Sequence, residues 1–141
     1  MGLPFFFYGT LLGQSDTPVS RWLKPRLDAE QPAAVYGRMI AIRGRTGWFP
    51  SLVPGGPGRW IRGAVFAGDR LSSTDLVRLD IYEGRQYRRE PVIARLDDGR
   101  TLTAQAYVWR SRLPRASVTV PHGDFLDFLR VRGVGALWGS H

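Results

Sequence analysis

No stretch of this chain runs far before a glycine or a proline stops it. Seventeen glycines and ten prolines fall within 141 residues, and they divide the apolar content into pieces of strand length. "FFFY" (5–8), "AAVYGRMIAIRG" (33–44), "RWIRGAVFAG" (59–68), "YRREPVIARL" (87–96) and "TLTAQAYVWR" (101–110) carry the aromatic and β-branched residues that suit a pleated, half-buried surface. Between them "GWFPSLVPGGPG" (47–58) is a short apolar stretch closing in a Gly/Pro loop. The last two strands flank "DDG", a hairpin signal, and in the second of them Leu102, Ala104, Ala106 and Val108 alternate with Thr103, Gln105 and Tyr107. Gly37, inside a strand pattern, marks a bulge or a close backbone approach.

Helical spacing occurs in few places. In "LSSTDLVRLDIYEG", Ser72 or Ser73 is the N-cap, Asp75 lies in the first turn, Leu76, Leu79 and Tyr82 form a stripe, and Gly84 is the stop. A short helix beginning near Thr17 or Pro18 is limited by Pro25, and another around Phe125–Leu129 ends by Gly133. Many short strands with few helices imply a single-domain α+β fold over residues 1–141. A barrel-like closure is expected, because strands this short otherwise leave edges to protect.

Composition narrows the chemistry. With no cysteine, disulfides, thiolate metal sites and a cysteine nucleophile are excluded, and with two histidines, His122 and His141, a histidine-built zinc site is not expected. No apolar run approaches a membrane span and no signal peptide is evident, so the expected location is the cytoplasm. The net charge of +8 comes from nineteen arginines and one lysine, Lys24. The arginines are scattered, the densest group being Arg85, Arg88 and Arg89, and no nucleic-acid-binding motif accompanies them, so a solvated basic surface is expected rather than a nucleic-acid site.

Two motifs carry candidate chemistry. Tyr8-Gly9-Thr10-Leu11 ends an apolar strand in a small corner whose successive backbone N–H groups could hold a carboxylate; a simple turn is the alternative. In "LDIYEGRQYRR" (79–89), Glu83 lies at the C-terminal end of a helix, where the macrodipole disfavours an anion. Partial burial there would raise a carboxyl pKa, as a general base near neutrality needs. An exposed glutamate paired with Arg85 or Arg89 is one alternative, and a carboxylate pair with Asp80 is another.

An N-terminal "YGTL" followed some seventy residues later by "LDxYEGxxYxR" resembles the gamma-glutamylcyclotransferase-like family, in particular the gamma-glutamylamine cyclotransferases and similar small bacterial proteins. "YGRMIAI", "WFPSLVPG", "IRGAVF", the helix and the hairpin follow the family's order over roughly residues 4–129. The resemblance implies a small mixed β-barrel flanked by one to three helices. It implies an enzyme of the acyltransferase or lyase type, without metal or cofactor, that releases 5-oxoproline from a small gamma-glutamyl compound. It implies that Glu83 is the acid/base and that Tyr8, Gly9, Thr10, Leu11, Pro50, Tyr87 and Tyr107 line the substrate pocket. Two other readings are a non-catalytic binding module on the same barrel and a basic nucleic-acid-binding barrel.

Overall fold

The computed structural model describes residues 3–8, 18–43, 48–120, 123 and 125–132. Among the described residues, seven strands and three α-helices follow one another as β1 (Phe5–Tyr8), α1 (Pro18–Leu23), β2 (Asp28–Arg43), β3 (Trp48–Pro54), β4 (Arg59–Ala67), α2 (Ser73–Glu83), β5 (Tyr87–Leu96), β6 (Thr101–Trp109), β7 (Val118–Thr119) and α3 (Phe125–Arg132). A 3₁₀ turn over Lys24–Arg26 joins α1 to β2.

The sheet closes on itself. β1 pairs β4, β4 pairs β2, β2 pairs β5, β5 pairs β6, and β6 returns to β1. The return contact is parallel and the other four are antiparallel, so the barrel is mixed, as the sequence led us to expect. The long β2 makes closure possible. Its first half lies between β4 and β5, with Ala34 opposite both Arg62 and Arg95, and its second half diverges to pair β3 and β7. β3 then lies against β6. Closure removes the open edges that such short strands would expose.

Two apolar clusters lie on opposite faces of this sheet. Phe6, Val35, Met39, Leu52, Ile61, Val65, Ala104, Ala106 and Val108 belong to one, which α3 closes with Phe125, Phe128 and Leu129. Phe5, Phe7, Ile40, Ile42, Phe49, Phe66, Tyr107 and Trp109 belong to the other, together with Leu23 of α1 and Leu79 of α2. Successive strand residues point to opposite faces. Three consecutive phenylalanines in β1 therefore supply both clusters, and all three are buried. Fully burying such a side chain contributes about 1.5–3 kcal/mol.

Gly37 marks a close backbone approach, since a Cβ there would lie 2.8 Å from the Val53 carbonyl oxygen. The register shift in β2 falls elsewhere, between Asp28 and Gln31, where Ala29 takes a φ of 54°. The sequence did not reveal that β2 begins as early as Asp28, nor that "WFPSLVP" is a full strand.

Candidate active site

Helix α2 begins with a reciprocal cap. The Asp75 N–H donates to Ser72 Oγ and the Ser72 N–H donates to Asp75 Oδ2, both at 3.0 Å. The helix then presents Leu76, Leu79, Asp80 and Glu83 along one stripe, at the i, i+3, i+4, i+7 spacing of an inward face. Leu79 is fully buried and anchors that face. Glu83 is the last helical residue and is only 5% exposed. The burial disposes of the exposed-glutamate reading. Gly84 stops the helix with a φ of 98°, a conformation that favours glycine, and its N–H donates to the Asp80 carbonyl at 3.2 Å. The chain reverses there and enters β5 at Tyr87.

Glu83 shares a narrow cleft with Phe6, Phe7, Tyr8, Pro50, Tyr87 and Tyr107, whose open interior measures about 10 Å³. The sequence singled out five of these seven. Phe6 and Phe7 were read only as strand core, and they line the cleft because β1 ends beside it. Gly9, Thr10 and Leu11, the remainder of the loop motif, lie outside the described residues.

The hydroxyls in this cleft give their protons to the fold. Tyr8 donates to the Tyr107 carbonyl at 2.6 Å and accepts from the Leu52 N–H at 3.1 Å, tying β1 to β6 and β3. Tyr87 donates to the Pro50 carbonyl at 2.8 Å. A phenol has one proton, so the 3.1 Å contact between Ser51 Oγ and the Tyr87 hydroxyl is a donation from Ser51. Tyr107 donates to Asp80 Oδ1 at 2.6 Å. With all three protons committed, none of these hydroxyls can donate to a ligand, and Tyr8 and Tyr87 each already accept one bond from the fold. Ser51, fully buried in an otherwise apolar strand, was missed; a lone hydroxyl within "WFPSLV" was the available signal.

The electrostatics follow from this burial. Desolvation pushes Tyr8, Tyr87 and Tyr107 well above the ordinary phenol range, and Tyr82 to about 12. The Glu83 charge adds to the rise at all four. Asp80 is held differently from Glu83. Arg89 Nε donates to its Oδ1 at 2.9 Å and Nη2 to its Oδ2 at 3.3 Å, and this pairing raises the guanidinium pKa. Asp80 thus belongs to an ion pair with Arg89 that also takes the Tyr107 proton. Among the described residues no group of three His, Cys, Asp or Glu side chains could hold a metal ion. No described helix is long and apolar enough to cross a membrane.

The family described as gamma-glutamyl cyclotransferase, AIG2-like, matches residues 5–127. The chain belongs to this family. Solved structures share its fold. YkqA from Bacillus subtilis superposes with a TM-score of 0.67 at 19% identity over 94% of this chain, which spans 43% of that protein's length. The Arabidopsis thaliana protein At5g39720.1 gives 0.64 at 23% identity, covering 93% of this chain and 83% of its own. An AIG2-like protein from Mus musculus gives 0.61 at 18% identity, covering 86% and 92%. No curated protein matches significantly.

Proposed function

We propose that this cleft cyclises a gamma-glutamyl amide, releasing 5-oxoproline and a free amine, with Glu83 as the acid/base. The observation that carries the reading is a buried carboxylate among tyrosine oxygens that can only accept hydrogen bonds. Such a surface complements an ammonium group. A gamma-glutamyl compound brings one, its α-ammonium, whose reference pKa is about 8.

The reaction needs no external nucleophile. Glu83 takes one proton from the α-ammonium, and the freed amine attacks the γ-carbonyl carbon to close a five-membered ring. The bond to the leaving nitrogen then breaks as Glu83 returns the proton to it. Of the three α-ammonium protons, one stays on the lactam nitrogen, one leaves through Glu83, and the last passes to solvent or to the departing amine. Because the attack is intramolecular, holding the chain folded supplies much of the rate. Phe6, Phe7 and Pro50 give the cleft apolar walls that can impose such a shape. The backbone of Gly9, Thr10 and Leu11 is proposed to receive the α-carboxylate.

The test is a panel of gamma-glutamyl amides, with amino-acid, ε-lysyl and simple alkyl leaving amines, scored by 5-oxoproline release. Turnover of at least one at an enzymic rate supports the reading. Tight binding of 5-oxoproline without turnover of any would favour a binding module, and neither would remove the cyclotransferase reading.

A further inference from the structure

We propose that Asp80 and Arg89 are positioning residues of the cleft: they hold the Tyr107 hydroxyl proton turned away from Glu83, so that Tyr107 meets the substrate's amine as an acceptor. The proposal rests on the cyclotransferase reading.

Asp80 and Glu83 lie one turn apart on α2, yet their surroundings differ. Both Asp80 oxygens are engaged from β5 by Arg89, and one also receives the Tyr107 hydroxyl of β6 at 2.6 Å. Arg89 is itself fixed, because its Nη1 donates to the Gln105 side-chain oxygen. Gln105 in turn reaches the start of the chain, its Nε2 donating to the Leu3 carbonyl at 3.3 Å and its N–H to the Pro4 carbonyl at 2.8 Å. A carboxylate held at both oxygens has one orientation, and a phenol giving it a short charge-assisted hydrogen bond has one rotor position.

An isolated half-exposed ion pair would be worth little to stability. The Asp80 side chain is 42% exposed and that of Arg89 27%. The chemical consequence is larger than the energetic one. Released from Asp80, the Tyr107 hydroxyl could turn into the cleft that it shares with Glu83. There it would donate to the carboxylate and occupy the lone pair that has to take the substrate's proton. It would also place a donor where an ammonium needs an acceptor. Asp80 removes that competition, and Arg89 keeps Asp80 in place.

The test is a double-mutant cycle on the gamma-glutamyl amide that the wild-type chain converts best, using Asp80→Asn, Tyr107→Phe and the two together, with kcat and KM measured separately. Asp80→Asn is expected to lower kcat/KM by roughly ten- to a hundred-fold, mainly through KM, the size of a hydrogen bond to a charged group. In a chain already carrying Tyr107→Phe, the same change should cost less than about threefold. Arg89→Lys, which keeps the charge but loses the fork, should fall between wild type and Arg89→Ala. Losses that multiply in the double variant, or that follow only the melting temperature, would overturn the proposal. A second measurement needs no turnover. In wild type the Tyr107 hydroxyl proton should give a downfield, slowly exchanging proton NMR signal that is absent in Tyr107→Phe and lost in Asp80→Asn. Its persistence in Asp80→Asn would overturn the proposal even if that variant failed kinetically. If the wild-type chain converts no gamma-glutamyl amide, the cyclotransferase reading fails, and the proton signal still decides whether Asp80 sets the direction of Tyr107.

Discussion

Tyr8 and Tyr107, 99 residues apart in the chain, are joined by a 2.6 Å hydrogen bond from the first hydroxyl to the second backbone carbonyl. The same Tyr8 oxygen accepts the Leu52 N–H. One phenol therefore fastens three strands at the floor of the cleft. Tyr8→Phe would leave the ring stacked on Phe6 but remove both bonds. It is expected to lower stability by about 1–3 kcal/mol in urea titration, the cost of buried polar groups losing a partner. A variant as stable as wild type would show that these backbone groups are satisfied in another way.

Glu83→Gln keeps the side-chain volume and removes the proton acceptor. Cyclisation should fall by roughly 100- to 10,000-fold in kcat. The folded state should persist, with a melting temperature close to that of wild type, because a buried neutral amide replaces a buried charge. Full activity in this variant would exclude Glu83 as the base.

Four tyrosines, the three of the cleft and Tyr82 on α2, make stability sensitive to alkali. Burial raises each of them in the folded state, Tyr82 to about 12 and Tyr8, Tyr87 and Tyr107 well above the ordinary phenol range. Unfolded tyrosines lose their protons first, so folding stability is fully present below about pH 10 and falls as the pH rises above it. Each tyrosine protonated only when folded steepens the fall by about 1.4 kcal/mol per pH unit. Urea midpoints between pH 8 and 12 check this, and Tyr82→Phe should make the decline shallower. A flat profile to pH 12 would contradict the burial of these hydroxyls.

Gly63 faces Tyr8 across the β1–β4 ladder. A Cβ there would lie 2.3 Å from the Phe7 carbonyl oxygen and 2.7 Å from the Phe6 ring. Gly63→Ala must push β1 aside, so it should destabilise by about 1–3 kcal/mol or more. It should also raise KM, since Phe6, Phe7 and Tyr8 all line the cleft. Wild-type stability and kinetics together would mean that β1 can shift without cost.

The basic surface should leave turnover nearly indifferent to salt. Some of its arginines pair with carboxylates, as in Arg70–Asp28 and Arg110–Glu90, and others stack on aromatic rings, as Arg26 and Arg78 do on Trp22, Arg95 on Trp60 and Arg132 on Trp48. Planar guanidinium stacks in this way better than ammonium does. A small ligand in the cleft is shielded from bulk ions, so kcat/KM is expected to change only a few-fold between low and moderate salt. Tight oligonucleotide binding with a steep salt slope would instead assign the arginines to a polyanion.

Local signals determined the elements and the first candidate for chemistry. Ser72 and Asp75 bracket the start of α2, Gly84 ends it, and the spacing from Leu76 to Glu83 puts a carboxylate on the inward stripe; these are interactions between near neighbours in the chain. The barrel was expected from strand length and edge protection, but its closure depends on β2 dividing its pairing between β4 and β5 and then turning to β3. No periodicity encodes that division, since it is a contest among strands far apart in sequence. The same holds for the site. That Arg89 belongs to Asp80 and not to Glu83's end of the cleft, that Ser51 feeds Tyr87, and that the Tyr8 and Tyr107 protons point into the fold are facts about donors and acceptors brought together across 9 to 99 residues. Sequence spacing gives the residue types within reach of one another. Only the packed barrel decides which partner each proton takes, because it sets which acceptors come within hydrogen-bond distance of each donor.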